Sequence, residues 1–153
     1  MLNIQLARID QSDLVAQGVY DLLLELFPAD VASFPVAKLQ QAAFQTLRPD
    51  GGVWSLLAFN EQEQVIGMLN LSRCVAIYAG GEFGEIAEMY VRPDYRSQKV
   101  GEQLMARAKR FAKEKGWAVL EVGAPDVPRC QRTVDFYQRN GFNMVGPRLE
   151  FSL

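Results

Sequence analysis

Residues 84–105, GEIAEMYVRPDYRSQKVGEQLM, run from an apolar strand through an Arg- and Gly-bearing turn directly into a helix. A strand-to-helix turn aims several unpaired backbone N–H groups at one point, and the helix dipole adds roughly half a positive charge there. Such a cradle suits an anion, phosphate above all. The turn lacks the glycine spacing and Lys-Ser/Thr ending of a Walker A loop, and it falls too late in the chain for a dinucleotide fingerprint. It therefore points to a different phosphate-bearing ligand.

Histidine is absent from all 153 residues. That removes Ser-His-Asp and Cys-His nucleophilic catalysis and His-ligated zinc or iron. Proton transfer is left to carboxylates, Tyr, Lys, Cys or water, which suits chemistry that needs only modest acid-base help. Cys74 and Cys130 are too few and too isolated for a disulfide scaffold or a cysteine zinc site, so free thiols and no metal are expected. The net charge of −2, with both signs interspersed, gives no field for nucleic acid. Neither a signal-like start nor a run of ~18 apolar residues is present, so no membrane association and a cytoplasmic location are expected. With 49% hydrophobic residues the chain reads as one domain over 1–153.

Apolar alternation at Leu2, Ile4 and Leu6 predicts a first strand, followed by a helix capped at Asp10 or Ser12. Val15, Val19, Leu22, Leu23 and Leu26 give that helix its apolar stripe, and Pro28 ends it. Pro35 opens a second helix carrying Val36, Leu39, Ala43 and Leu47 on one face. Strands are predicted over 53–59 and 65–72 as a hairpin, then over 85–91. A helix bearing Val100, Leu104, Ala108 and Phe111 ends at Gly116, with Arg107, Lys109, Arg110 and Lys113 turned to solvent or, in the other reading, toward a ligand phosphate. A strand over 117–122, a helix presenting Val127, Cys130, Val134 and Tyr137, and a closing hairpin over 142–145 and 148–153 complete the reading. The order implies an α/β fold with a mixed sheet.

The segment VRPDYRSQKVG resembles the acyl-CoA pyrophosphate loop of the GNAT superfamily of N-acyltransferases, with Arg96 and Gly101 on the pattern and Lys99 where the first Gly is usual. VLEV at 119–122 and TVDFYQRNGF at 133–142 are similar to the family's later motifs. The resemblance implies a single-domain GNAT fold, a mixed and mostly antiparallel sheet flanked by helices, whose central strands splay to admit the pantetheine arm. It further implies acetyl-CoA as acyl donor. Met89, Tyr90 and Val91 would lie along the pantetheine, Arg96, Ser97, Gln98, Lys99, Val100, Gly101 and Glu102 around the pyrophosphate, and Cys130 where the family often has a cofactor-binding Asn.

Tyr137 takes the position of the family's thiolate-protonating tyrosine; the alternative is a core residue on an amphipathic helix. For the base that deprotonates the acceptor amine, Glu85 ranks first, Glu121 second and Glu88 third; each could instead be a solvating charge or hold a substrate ammonium. Strand alternation places Glu85 with Ala87 and Met89, and Glu88 with Ile86 and Tyr90, unless a bulge resets the faces. At Gly101 the missing Cβ is expected to give a phosphate oxygen room against the backbone.

The function expected is direct acetyl transfer from acetyl-CoA to a primary amine. Small-molecule acceptors lead, since the GEIxExxV strand looks like that of aminoalkylphosphonate acetyltransferases. Acetylation of a protein N-terminus or lysine, a noncatalytic acyl-CoA sensor and a nucleotide-binding regulator are the alternatives. A homodimer is possible on the resemblance alone.

Overall fold

The computed structural model describes residues 2–153. Five strands form one sheet in the order β1-β2-β3-β4-β5: β1 (Asn3–Leu6), β2 (Val53–Phe59), β3 (Val65–Ala76), β4 (Gly81–Val91) and β5 (Leu120–Val122). The first four are antiparallel neighbours, and β5 runs parallel to β4. Helices α1 (Ser12–Leu26) and α2 (Val36–Thr46) cover one face, while α3 (Val100–Glu114) and α4 (Gln131–Arg139) lie on the other.

The two-residue period of the strands sorts their side chains between two cores. Leu56, Leu69, Leu71 and Ile86 meet Leu104, Met105, Ala108 and Phe111 of α3, whereas Leu57 and Met68 meet Val15, Ala16 and Ala43 beneath α1 and α2. The apolar stripe read from α3 is the buried one, and Gly116 follows the helix at φ +75°, a left-handed value that favours glycine. Pro35 stands at the N-cap of α2 as expected.

Five elements differ from the sequence expectation. Strand β3 continues past residue 72 to Ala76, because β4 begins at Gly81 and supplies partners for it. The strand expected over 117–122 contracts to Leu120–Val122, since Trp117 packs into the aromatic cluster with Trp54 and Phe111 instead of joining the ladder. Helix α4 starts at Gln131 and leaves Val127 outside it. The closing hairpin is absent: residues 143–153 form no strand, and Met144, Val145, Leu149, Phe151 and Leu153 are exposed.

Strands β4 and β5 pair only through Gly84↔Leu120, Glu85↔Glu121 and Ile86↔Val122. Beyond Ile86, residues 87–91 keep β3 on one side and have no strand on the other. Gly84 secures the closed end, since a methyl group added there would overlap the Trp117 ring and reach Leu120 Cδ1 at 3.2 Å. Gly84→Ala is therefore expected to cost about 1–3 kcal/mol of stability by overpacking. At about 2–4 °C per kcal/mol for a chain of this size, thermal denaturation followed by circular dichroism reads the loss.

Candidate active site

The separation of β4 from β5 opens a cavity of about 460 Å³. Its floor is β4 from Glu85 to Val91, its far wall is Val122, Gly123 and the start of α4, and its end is the turn into α3. Along an edge strand every second N–H and C=O points away from the sheet, so 87–91 offer backbone groups to a guest lying in the cavity. Arg96 Nε donates to the Val91 carbonyl at 2.9 Å and marks where that open edge ends.

The turn into α3 is built on two left-handed non-glycine residues, Ser97 at φ +62° and Lys99 at φ +63°. The first N–H to enter the helical ladder is that of Gln103, bonded to the Lys99 carbonyl at 3.1 Å, so the amides of Val100, Gly101 and Glu102 precede it. A left-handed residue followed by a helical one forms an anion-accepting concavity of N–H groups. Ser97, Lys99, Val100, Gly101 and Glu102 all line the cavity. The geometry also explains why glycine suits position 99: a side chain in the left-handed region costs roughly 1–2 kcal/mol.

Other expected residues are placed differently. Gln98 is not in the cavity wall; its side chain donates to the Asp94 carbonyl at 2.9 Å and braces the turn. Arg96 lines the cavity, yet its guanidinium is bonded to both oxygens of Glu25 at 2.9 and 2.6 Å, tying the loop to the end of α1. Gly101 has a neighbour other than the one expected: an added Cβ would stand 3.2 Å from Phe136 Cζ and 3.5 Å from Met89 Cε. Its missing side chain lets α4 approach the first turn of α3. Cys130 lines the cavity just before α4. None of Arg107, Lys109, Arg110 and Lys113 lines it, and Lys109 donates to the Asn140 carbonyl instead.

The cavity brings in basic residues that sequence reading passed over. Arg132 of α4 donates to Ser97 Oγ at 3.1 Å, and Arg139, two turns further along α4, also lines the cavity. With Lys99 they give the loop end of the cavity three cations that have no carboxylate partner among the described residues. Arg132 stands immediately before the TVDFYQRNGF motif and Arg139 within it, the one signal that could have singled them out.

Glu85 and Glu88 share a face, contrary to simple alternation. Asn70 pairs with Glu88 and Leu71 with Ile86, leaving Ala87 as a bulge. Asn70 and Ser72, two residues apart on β3, face Glu88 and Glu85, so both carboxylates lie on the side of α1 and α2. Met89 then joins Ile86 in packing toward α3, and Tyr90 turns to the opposite core. Glu85 is engaged by Arg148 at 2.6 Å, and Cys74 Sγ stands 3.9 Å from it. Glu121 is the β5 neighbour of Glu85 and lies outside the cavity wall. Glu88 lines the cavity, has no cationic partner among the described residues and accepts a hydrogen bond from Asn70 Nδ2 at 3.0 Å. Burial pushes its carboxyl above the ordinary value, with the Glu85 charge adding and the Asn70 bond opposing.

Tyr137 also lines the cavity, stacked edge-on between Phe136 and Phe142. Burial pushes its phenol up to about 12, so at neutral pH it is a hydrogen-bond donor.

The description "Acetyltransferase (GNAT) family" matches residues 16–142. The chain belongs to this family. It is 33% identical over 79 residues to the aminoalkylphosphonate N-acetyltransferase of Salmonella typhimurium, an alignment covering 52% of this chain and 50% of that one. The chain thus spans about half the length of that curated relative. The fold matches a ribosomal-protein-alanine N-acetyltransferase from Brucella melitensis biovar Abortus (TM-score 0.76, 18% identity, covering 100% of this chain and 99% of that one). It also matches an aminoglycoside acetyltransferase from an uncultured soil metagenomic sample (TM-score 0.75, 20% identity, 99% and 95% coverage). Among the described residues no cluster of His, Cys, Asp or Glu could hold a metal ion, and no helix is long and apolar enough to cross a membrane.

The left-handed turn gives a direct test of local strain. Lys99→Gly is expected to leave the melting temperature unchanged or raise it, because relief of the positive φ offsets the entropy glycine adds to the unfolded chain. Lys99→Val is expected to lower it by the equivalent of about 1–2 kcal/mol, β-branching being least tolerated at positive φ. Melting curves of the two variants check the pair.

Proposed function

We propose that this GNAT protein transfers an acetyl group from acetyl-CoA to a primary amine of a small molecule. The observation that carries the reading is the continuity of the cavity: an unpaired strand edge at 87–91 leads into a turn of free N–H groups flanked by Lys99, Arg132 and Arg139. An extended arm with amide groups matches the first part, and a diphosphate matches the second. The coenzyme supplies an acetyl thioester, already activated toward amines.

The residues of this chain then have distinct tasks. Backbone groups of Met89, Tyr90 and Val91 align the arm, while the turn from Ser97 to Glu102 and the α4 arginines hold phosphate. Glu88 serves as the base in this reading. A carboxyl with a raised pKa is better matched to taking a proton near neutrality than an ordinary one, and Glu88, unlike Glu85, is not held by an arginine. An alkylammonium surrenders one proton to Glu88, directly or through water. Its nitrogen attacks the thioester carbonyl carbon, the C–N bond forms and the C–S bond breaks. Of the two protons lost from nitrogen overall, one ends on the coenzyme sulfur and one in solvent.

Tyr137 lines the same cavity. A phenol that holds its proton to about 12, facing a thiol near ~8.5, makes outright proton transfer uphill by about 5 kcal/mol. Tyr137 therefore acts as a hydrogen-bond donor to the sulfur as negative charge builds, with solvent delivering the final proton. Tyr137→Phe is expected to lower kcat by about a hundredfold, the usual scale for one preorganised donor, with little change in KM for acetyl-CoA. An unaltered kcat overturns the donor role.

Glu88 sets function against stability. Its folded pKa is raised above the unfolded value, so the ionised form is disfavoured in the fold and stability falls as pH climbs through that interval. At pH 7 Glu88→Gln is accordingly expected to raise the melting temperature while cutting kcat/KM and removing the acid limb of its pH profile. A profile retaining that limb would move the base to another residue.

The reading itself is tested by incubation with acetyl-CoA and a panel of amines and peptides, with products identified by mass spectrometry, alongside calorimetric titration with CoA. Wild-type protein is expected to bind CoA and acetylate small amines. Gly101→Val is expected to lose more than tenfold in CoA affinity by driving Phe136 and Met89 into the cavity. Acetylation of peptides alone would overturn the small-molecule assignment.

A further inference from the structure

Between α1, α2 and the sheet lies a second, smaller cavity of about 180 Å³, and Ala87 and Glu88 line both it and the large one. The bulge at Ala87 causes this sharing, since it turns Glu88 to the α1 side at the point where β4 loses β5 as a neighbour. Val15, Val19, Leu39, Leu47 and Val53 supply apolar walls. The polar groups are Glu88, Asn70, Ser72 and Thr46, and no Lys or Arg lines the space.

Two of these groups, the Asn70 amide oxygen and the Glu88 carboxylate, lack a counterpart among the described residues. Asn70 is 3% exposed; one of its two Nδ2 hydrogens goes to Glu88, which orients the amide, and its buried Oδ1 has no partner among the described residues. Thr46 donates its hydroxyl proton to the Ala42 carbonyl at 2.7 Å, leaving acceptor capacity only. A buried acceptor without a donor costs free energy comparable to a lost hydrogen bond, and a carboxylate without a cation costs more. A ligand ammonium, with three donors and a positive charge, satisfies Asn70 and Glu88 together.

We infer that the smaller cavity is the acceptor site, and that it takes an alkylammonium with an unbranched apolar stem and no anionic group. This rests on the acetyltransferase reading above. The ammonium lies against Glu88 at the partition between the cavities, and the stem points under α1 and α2. Deprotonated by Glu88, the nitrogen faces the large cavity for the transfer already described. The small volume, about 180 Å³, admits a short stem of only a few heavy atoms. A phosphonate a few bonds from the nitrogen would meet apolar walls and the Glu88 carboxylate with no cation to pair it. An aminoglycoside ring would not fit.

Initial acetylation rates with acetyl-CoA test this on the protein, using straight-chain primary amines from propylamine to octylamine alongside 2-aminoethylphosphonate, spermidine and kanamycin. The expected result is a kcat/KM that climbs with stem length, peaks near pentylamine or hexylamine, and exceeds that of the other three at least tenfold. Val19→Phe, which fills the cavity from a half-buried position, is expected to raise KM for hexylamine more than tenfold and leave KM for acetyl-CoA unchanged. Preference for the phosphonate, spermidine or kanamycin, or an alkylamine rate indifferent to stem length, overturns the acceptor site and leaves the acetyltransferase reading standing. Failure to acetylate any amine overturns both. The wild-type series decides the matter even if Val19→Phe does not fold.

Discussion

The rest of the site depends on one broken partnership, that of β4 with β5 after three residue pairs. Backbone N–H and C=O groups left without a strand demand other partners, and in a protein they are met by water or by a ligand that imitates a strand. The break is held open by packing at both ends. At the closed end Trp117 lies over Gly84, and at the open end Phe136 lies over Gly101. Two glycines far apart in function thus serve one purpose: each lets a large aromatic ring come close enough to fix where α4 and β5 sit relative to β4.

Charge is distributed along the cavity in the sense that its proposed reaction requires. At the loop end, Lys99, Arg132 and Arg139 have no carboxylate partner among the described residues, while Arg96 is bonded to Glu25 and serves to join the loop to α1. At the other end Arg148 occupies Glu85, so among the described residues Glu88 is the β4 carboxylate in the cavity left without a cation. An arginine near a phosphate loop and a glutamate on a strand are thus distinguished by what else they touch. Arg96 and Glu85, the residues that sequence position favours, are both structurally committed.

The bulge at Ala87 links this distribution to geometry. Regular pleating would put Glu88 on the α3 side, in a fully apolar core where an ionised carboxylate could not be sustained. One inserted residue sends it instead to the α1 side, beside Asn70, and makes it the partition between two cavities. The fold tolerates a raised carboxyl pKa and an unpartnered amide oxygen there, costs that local packing does not repay and that a cationic guest would.

Much of this was legible in the linear sequence. The two-residue and 3.6-residue periods of apolar side chains placed β2, α1, α2 and α3, and the strand-turn-helix junction with its unpaired N–H groups follows from local backbone rules, so it too could be read directly. The expectation for α4 erred at its start and that for the tail failed outright. Residues 148–153 alternate like a strand, but a strand exists only where an edge is offered to it, and alternation says nothing of that. The identity of the free charges lay wholly beyond the sequence: Arg96 meets Glu25 across 71 positions and Arg148 meets Glu85 across 63. Local periodicity is written residue by residue because each side chain carries its own hydrophobicity; which carboxylate stays unpaired, and on which face it stands, is decided by distances between elements that only the folded chain brings into being.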